Sequence, residues 1–248
     1  MMPVLQLGPL TIQTVPIILL ISLWIGLNQI EKHASKYNTQ ANLITNLVLL
    51  GLVAGLLGAR LAYLLVYRDA FTGNLLGIFS LSPETLNLSG GLLCGFIGGL
   101  IYTQKKHMNP WQTLDALTPG LCVMMIGFGL ANLASGDAYG IPTTVPWAIE
   151  LWGESRHPTQ IYQVVLACIV TWTVWPTGTC PLRWKQITYQ PGVTFLLFVS
   201  ANSLGIILFS AFLGDITPNF SGIKPVQLIA WITLAASLYF LDKKLVED

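Results

Sequence analysis

The chain has 248 residues, 53% of them hydrophobic and 9% charged, with 12 basic against 11 acidic side chains for a formal net charge of +1. A soluble domain carries about 25% charged residues, so these charges are too few to wet a globular surface of this size, and the apolar content excludes a disordered chain. A net charge of +1 also provides no basic field for nucleic acid.

Seven runs approach the ~20 apolar residues that cross a bilayer as a helix: residues 11–30, 43–67, 88–104, 118–135, 159–176, 193–213 and 225–241. The first lacks a basic leader and is followed by a polar stretch without a small-x-small site, so it reads as a retained span rather than a cleaved signal peptide. Gly51 and Gly55 in the second run, and Gly91, Gly95 and Gly99 in the third, recur every four residues and share a helix face. Such faces let backbones approach closely where water supplies no hydrophobic push. The glycine pairs at 90–91 and 98–99 also allow a helix break or the approach of a lipid headgroup. No GxGxxG or GxxxxGK[ST] pattern occurs, so no nucleotide site is inferred. Before the fourth run, Asn109-Pro110-Trp111-Gln112 predicts a capped helix start. It is expected to open a short surface helix, with Trp111 at the membrane interface. Cys94, Cys122 and Cys168 fall inside apolar runs, and with Cys180 they form no CxxC pair. They read as small buried hydrophobes rather than a disulfide or metal set.

Charge sets the orientation. Lys32, Lys36, Lys105, Lys106, Arg183, Lys185, Lys243 and Lys244 follow the odd-numbered spans, whereas Arg68, Arg156 and Lys224 follow even-numbered spans or precede odd ones. The positive-inside rule places the first set in the cytoplasm, with the N-terminus out and the C-terminus in. Asp69, Glu84, Asp137, Glu150, Glu154 and Asp215 then lie on the outer side. The predicted class is an all-α integral membrane protein, one seven-span domain over residues 1–248.

Two polar features ask for an explanation. Arg60 lies inside the second span, where a charged group is costly. It calls for a carboxylate such as Asp137 or Glu84, a carbonyl array, or a lipid phosphate. The outer region 132–158 and the entry to span five supply Asn132, Asp137, Gly140, Arg156, His157, Gln160 and Tyr162. A histidine can serve as a general base, so His157 is a candidate catalytic residue together with Asp137, and it is expected to stand at a helix start with Pro158 in the first turn. Gln160 and Tyr162 can bond across helices. Ser89 and Ser135 lack a G-x-S-x-G frame, and His33, His107 and His157 are scattered, which argues against a zinc site.

The pieces G-A-R-L-A-Y-L-L-V-Y (58–67), L-S-G-G-L-L-C-G (88–95), D-A-L-T-P-G (115–120), N-L-A-S-G-D-A-Y-G (132–140), R-H-P-T-Q-I-Y (156–162), and F-L-G-D (212–215) before G-I-K-P-V-Q (222–227) follow one another in a fixed order. In that order and spacing they resemble the prolipoprotein diacylglyceryl transferase family over nearly the whole chain. The resemblance implies a multi-pass protein of the bacterial inner membrane. Such an enzyme moves diacylglyceryl from phosphatidylglycerol to a prolipoprotein cysteine thiol and releases glycerol phosphate, without a cofactor, in a cavity open toward the periplasmic half. It implies that Arg60, Asn132, Asp137 and Gly140 line that cavity, with Asp137 where the family usually has glutamate, and that His157 and Gln160 keep an R-H-P-x-Q-x-Y pattern.

The chain departs from the family where charge matters. Ser89 stands at the place of the catalytic histidine, Gly129 at that of a signature arginine, and Val15, followed by Pro16, at that of a tyrosine. Gly205-Ile206, Ser210 and Leu213 stand where the late span supplies G-R, a glutamate and a second arginine. Guanidinium groups grip an anionic headgroup in fork geometry and stabilise leaving charge. Their replacement on a retained frame points to a catalytically silent relative that binds phospholipid, a lipoprotein or a membrane-complex partner. An active transferase with an altered site is the alternative. A transporter or channel is a third reading, disfavoured by the lack of an inverted repeat or a filter signature.

Overall fold

A computed structural model describes residues 4–7, 10–68, 85–175, 190–214 and 224–246. A short antiparallel hairpin of β1 (Val4–Leu7) and β2 (Leu10–Gln13) leads into α1 (Thr14–His33). There follow α2 (Ala41–Val66), α3 (Leu88–Lys105), α4 (Pro110–Ser135), a hairpin of β3 (Ile149–Leu151) and β4 (Glu154–Arg156), α5 (Thr159–Val174), α6 (Val193–Phe209) and α7 (Pro225–Val246). Each of the seven apolar runs therefore contains a helix, although residues 11–13 of the first lie in β2 rather than in α1. Five of them, α1, α2, α4, α6 and α7, are long and apolar enough to cross a membrane, while α5 is a shorter apolar helix.

Burial is inverted relative to a soluble protein. Leu57, Leu65, Leu92, Phe96, Trp231 and Ile232 are exposed, whereas α4 buries Thr113, Asp115, Thr118, Gly120, Gly127 and Gly129. Apolar side chains facing outward and small or polar ones facing inward make this a multi-pass membrane protein.

The inward residues explain the packing. α4 lies against α1, α5 and α6. Across the α1–α4 contact, a Cβ on Gly26 would stand 3.3 Å from the Gly120 carbonyl oxygen. Cys122, Val170, Val174 and Phe198 close the α4–α5–α6 junction, and Ile30, Ile44 and Ala116 close that of α1, α2 and α4. α2 and α3 form an antiparallel hairpin sewn by glycine, as the four-residue spacing predicts. A Cβ on Gly55 would lie 3.2 Å from the Gly91 oxygen, and one on Gly95 only 2.9 Å from the Gly51 oxygen.

Asn109 caps α4 as expected, its Oδ1 accepting from the Trp111 N–H at 3.0 Å and the Gln112 N–H at 3.4 Å. The separate short surface helix is not formed: α4 continues unbroken through Pro119 to Ser135. Proline removes one backbone donor from the helix interior, but the flanking turns are held by α1 packed across Gly120.

Near this end, Asp115 reaches out of α4. Its carboxylate accepts the backbone N–H of Gly192 and, at 2.8 Å, that of Phe195. It thereby caps α6 from a neighbouring helix, at the end where the macrodipole favours an anion. Gly192 has φ +98° and stands against the Trp111 ring, a position open to glycine because no Cβ fits there.

Candidate functional site

The polar residues picked out of the sequence gather at the opposite end of α4. Asn132 lies in its last turn and donates from Nδ2 to Gln163 Oε1 at 2.9 Å. Gly136, at φ +84°, ends the helix. The first turn of α5 then grips the turn that follows. Gln160 Nε2 donates to the Asp137 carbonyl at 2.9 Å, and the Thr159 hydroxyl donates to that of Ala138. Pro158 is the residue before α5 rather than part of its first turn, with His157 just outside. The Asp137 carboxylate is exposed and forms no ion pair among the described residues.

Beyond Asp137 the chain runs between two neighbours and pairs with both. Ile141 N–H donates to the Phe212 carbonyl at 2.8 Å, and Gly214 N–H donates to that of Tyr139 at 2.8 Å. On the other side, His157 N–H donates to the Ile141 carbonyl at 3.1 Å. Bridges link Gly140 with Leu213 and Pro142 with Arg156. Gly140 is at the crowded centre, where a Cβ would fall 2.3 Å from the His157 carbonyl oxygen. Its lack of a side chain serves close backbone approach.

Charges at this lattice are engaged by protein groups. Arg156 donates from Nη1 to the Gly140 carbonyl at 3.2 Å and pairs through Nη2 with Glu154 at 2.5 Å, and its guanidinium lies 5.0 Å from the Tyr139 ring centroid. Lys224 is buried, and its ammonium donates to the Ser210 carbonyl at 2.9 Å and to that of Leu213. Among the described residues three buried side-chain atoms have no hydrogen-bond partner: Arg156 Nε and Gln160 Oε1 here, and Asn202 Oδ1 on α6. Gln160 is wholly buried, so its unfilled acceptor carries a real cost.

His157 Nδ1 lies 3.2 Å from the Tyr162 hydroxyl, which accepts the Trp147 indole N–H at 2.8 Å. Either the phenol donates to Nδ1 or Nδ1–H donates to the phenol, according to the imidazole tautomer. The ring also packs on Phe212, centroids 4.9 Å apart.

Arg60 is set on the other helical pair. It is buried, donates from Nη1 to the Thr85 carbonyl at 2.9 Å, and its guanidinium lies 5.7 Å from the Tyr63 ring centroid. Among the described residues Asp137 does not pair with it; Glu84, the other carboxylate considered from the sequence, lies outside the described residues, as do Asp69, Asp215, Arg183, Lys185 and Cys180. Ser89 is exposed in the first turn of α3, donating to Asn87 Oδ1 at 2.7 Å. Val15 is half-buried in the first turn of α1, and Ile206 is exposed on α6. Ser210 and Leu213, by contrast, join the lattice through the carbonyls that hold Lys224. Gly129 is buried against α5, where a Cβ would come within 2.8 Å of Val164 Cγ2 and 3.2 Å of the Val164 nitrogen.

Trp147, Thr159 and Gln163 were not singled out in the sequence as site residues, and Lys224 entered only through its place in the charge pattern and the G-I-K-P-V-Q piece. Gln163 falls one helical turn after Thr159, a spacing that places it on the α4-facing side; the other contacts span distant segments and leave no local signal.

The model of the family described as prolipoprotein diacylglyceryl transferase matches residues 3–241. The chain is similar to the phosphatidylglycerol–prolipoprotein diacylglyceryl transferase of Prochlorococcus marinus (strain NATL2A), 24% identical with 98% of this chain and 92% of the relative covered. It is 22% identical to that of Bifidobacterium adolescentis, over 93% of this chain and 73% of the relative. With that of Polynucleobacter necessarius it shares 34% identity over 52% of each chain.

Proposed function

Because the chain belongs to the prolipoprotein diacylglyceryl transferase family, we propose that it retains the family frame as a seven-crossing scaffold of the bacterial inner membrane. It binds phospholipid, phosphatidylglycerol in the first instance, or a lipoprotein or membrane-complex partner, without completing transfer. Its N-terminus faces out, its C-terminus faces in, and the lattice around Gly140 borders a polar cavity in the outer half. α3 and α5, the two shorter helices, are crossings carried by their packing on α2 and on α4 and α6.

The observation that carries the silent reading is Gly129. The family resemblance calls for an arginine there, and α5 occupies the space its first side-chain carbon would need. The cations at the lattice do not replace it, since Arg156 and Lys224 are already held by Glu154 and by backbone carbonyls. A guanidinium committed to protein acceptors has fewer N–H groups for phosphate.

Purified protein incubated with phosphatidylglycerol and a lipobox peptide tests this directly. No thioether product above a protein-free control is expected; turnover overturns the silent reading. The active-transferase reading draws on the unmatched Arg156 Nε and Gln160 Oε1, which a substrate group would satisfy. It requires turnover, with Arg60→Ala and Asp137→Ala both reducing it.

A further inference from the structure

The α2–α3 hairpin carries a second arrangement at its other end, beside the start of α4. There a shallow groove is lined by Asn46, Leu49, Leu50 and Val53 from α2 and by Tyr102 and Lys106 at the end of α3. The floor is apolar and open, with Leu49, Leu50 and Val53 all exposed. Asn46 and Val53 are seven residues apart on a helix, about 10 Å along its axis. At one end of this strip stand an ammonium, a phenol and a carboxamide. Among the described residues, the side chains of Asn46, Tyr102 and Lys106 make no hydrogen bond or ion pair. A second cation, Lys105, adjoins Lys106 in the last turn of α3. Among the described residues no carboxylate lines the groove, and Glu31 on α1 is already engaged by the Thr45 hydroxyl at 2.9 Å.

We propose that this groove seats an anionic phospholipid of the adjoining leaflet. An acyl chain lies along Leu49, Leu50 and Val53, and the phosphate is met by Lys106 with the Tyr102 hydroxyl and the Asn46 amide. The apolar strip asks for a lipid rather than free phosphate. The unpaired lysine beside Lys105 asks for net negative charge, because a zwitterionic headgroup carries a cation of its own. A lysine near a membrane surface contributes roughly 1 kcal/mol toward anionic lipid, equivalent to about fivefold in occupancy. This site lies at the end of α2 away from Arg60 and does not depend on whether the Gly140 lattice holds lipid or supports transfer.

The test places a benzoylphenylalanine at Leu50 in the full chain, reconstituted in nanodiscs of equimolar phosphatidylglycerol and phosphatidylcholine. After illumination, lipid adducts are counted by mass spectrometry. Phosphatidylglycerol adducts are expected to exceed phosphatidylcholine adducts about fivefold. Lys106→Glu brings the two near parity, whereas Lys106→Arg preserves the bias. Lys106 is exposed, so the fold is expected to tolerate both changes. Tyr102→Phe, which keeps the ring and removes only the hydroxyl, reduces the bias by less than Lys106→Glu. Equal labelling by the two lipids in the otherwise unaltered chain, or a bias that survives Lys106→Glu, overturns the proposal.

Discussion

The two ends of α4 treat buried polarity in opposite ways. At its start, Asp115 has a backbone N–H for each carboxylate oxygen, from Gly192 and Phe195. At its finish, Asn132 and Gln160 tie α4, α5 and the Asp137 turn together, yet Gln160 Oε1 and Arg156 Nε are left without partners. A closed set of bonds holds two helices in register. An open set holds the backbone while leaving one acceptor and one donor for something else, because buried polar atoms are rarely left unmatched without cause. The first end has its carboxylate satisfied, and the second leaves one buried acceptor and one buried donor unmatched among the described residues.

Substitutions at each end probe this contrast. Asp115→Ala removes a buried charge that satisfies two donors and is expected to destabilise by about 3 kcal/mol, read as a lowered Tm of the purified protein in micelles. Asp115→Asn retains an acceptor oxygen and is expected to lose about half as much. A Tm unchanged in Asp115→Ala breaks the contrast at its stable end. Gly129→Val overpacks the α4–α5 contact and is expected to cost about 2 kcal/mol; a neutral result in the same assay shows that α5 yields and that a side chain fits there after all. Gln160→Leu loses the bond to Asp137 but also removes the unmatched oxygen, so about 1 kcal/mol is expected. A loss as large as that of Asp115→Ala shows that this end is as fully bonded as the other. Glu154→Gln breaks the pair with Arg156 where the Glu154 side chain is 54% exposed. A change below about 0.5 kcal/mol is expected, and urea titration at low and high salt checks that it shrinks with screening.

Much of the helical frame was legible because its signals are local. Hydropathy marks α1, α2, α4, α6 and α7, Asn109-Pro110 marks the start of α4, and Gly51, Gly55, Gly91 and Gly95 mark the seam of the α2–α3 hairpin. The extent of α4 was less legible, since Pro119 and the polar residues before it suggest a break that packing against α1 overrides. The site was legible only as residue types. Asn132, Gly140, Arg156, His157, Gln160 and Tyr162 do assemble, but the pairing of 139–141 with both 156–157 and 212–214 is backbone bonding between distant segments, which side-chain identity does not encode. Asp115 entered the sequence reading only within the D-A-L-T-P-G piece of the family resemblance, and its partners lie beyond position 190. Lys224 was read only as a topological charge, although its ammonium is what ties Ser210 and Leu213 to the start of α7.

The glycine seam has a bearing on biogenesis. All its contacts fall between residues 41 and 105, and α3 itself contains no buried residue. Among the described residues, nothing synthesised later contributes to the glycine contacts of that interface. The pair can therefore zip as it leaves the insertion machinery, while α4 is still being translated, and await the remaining helices as a preassembled unit.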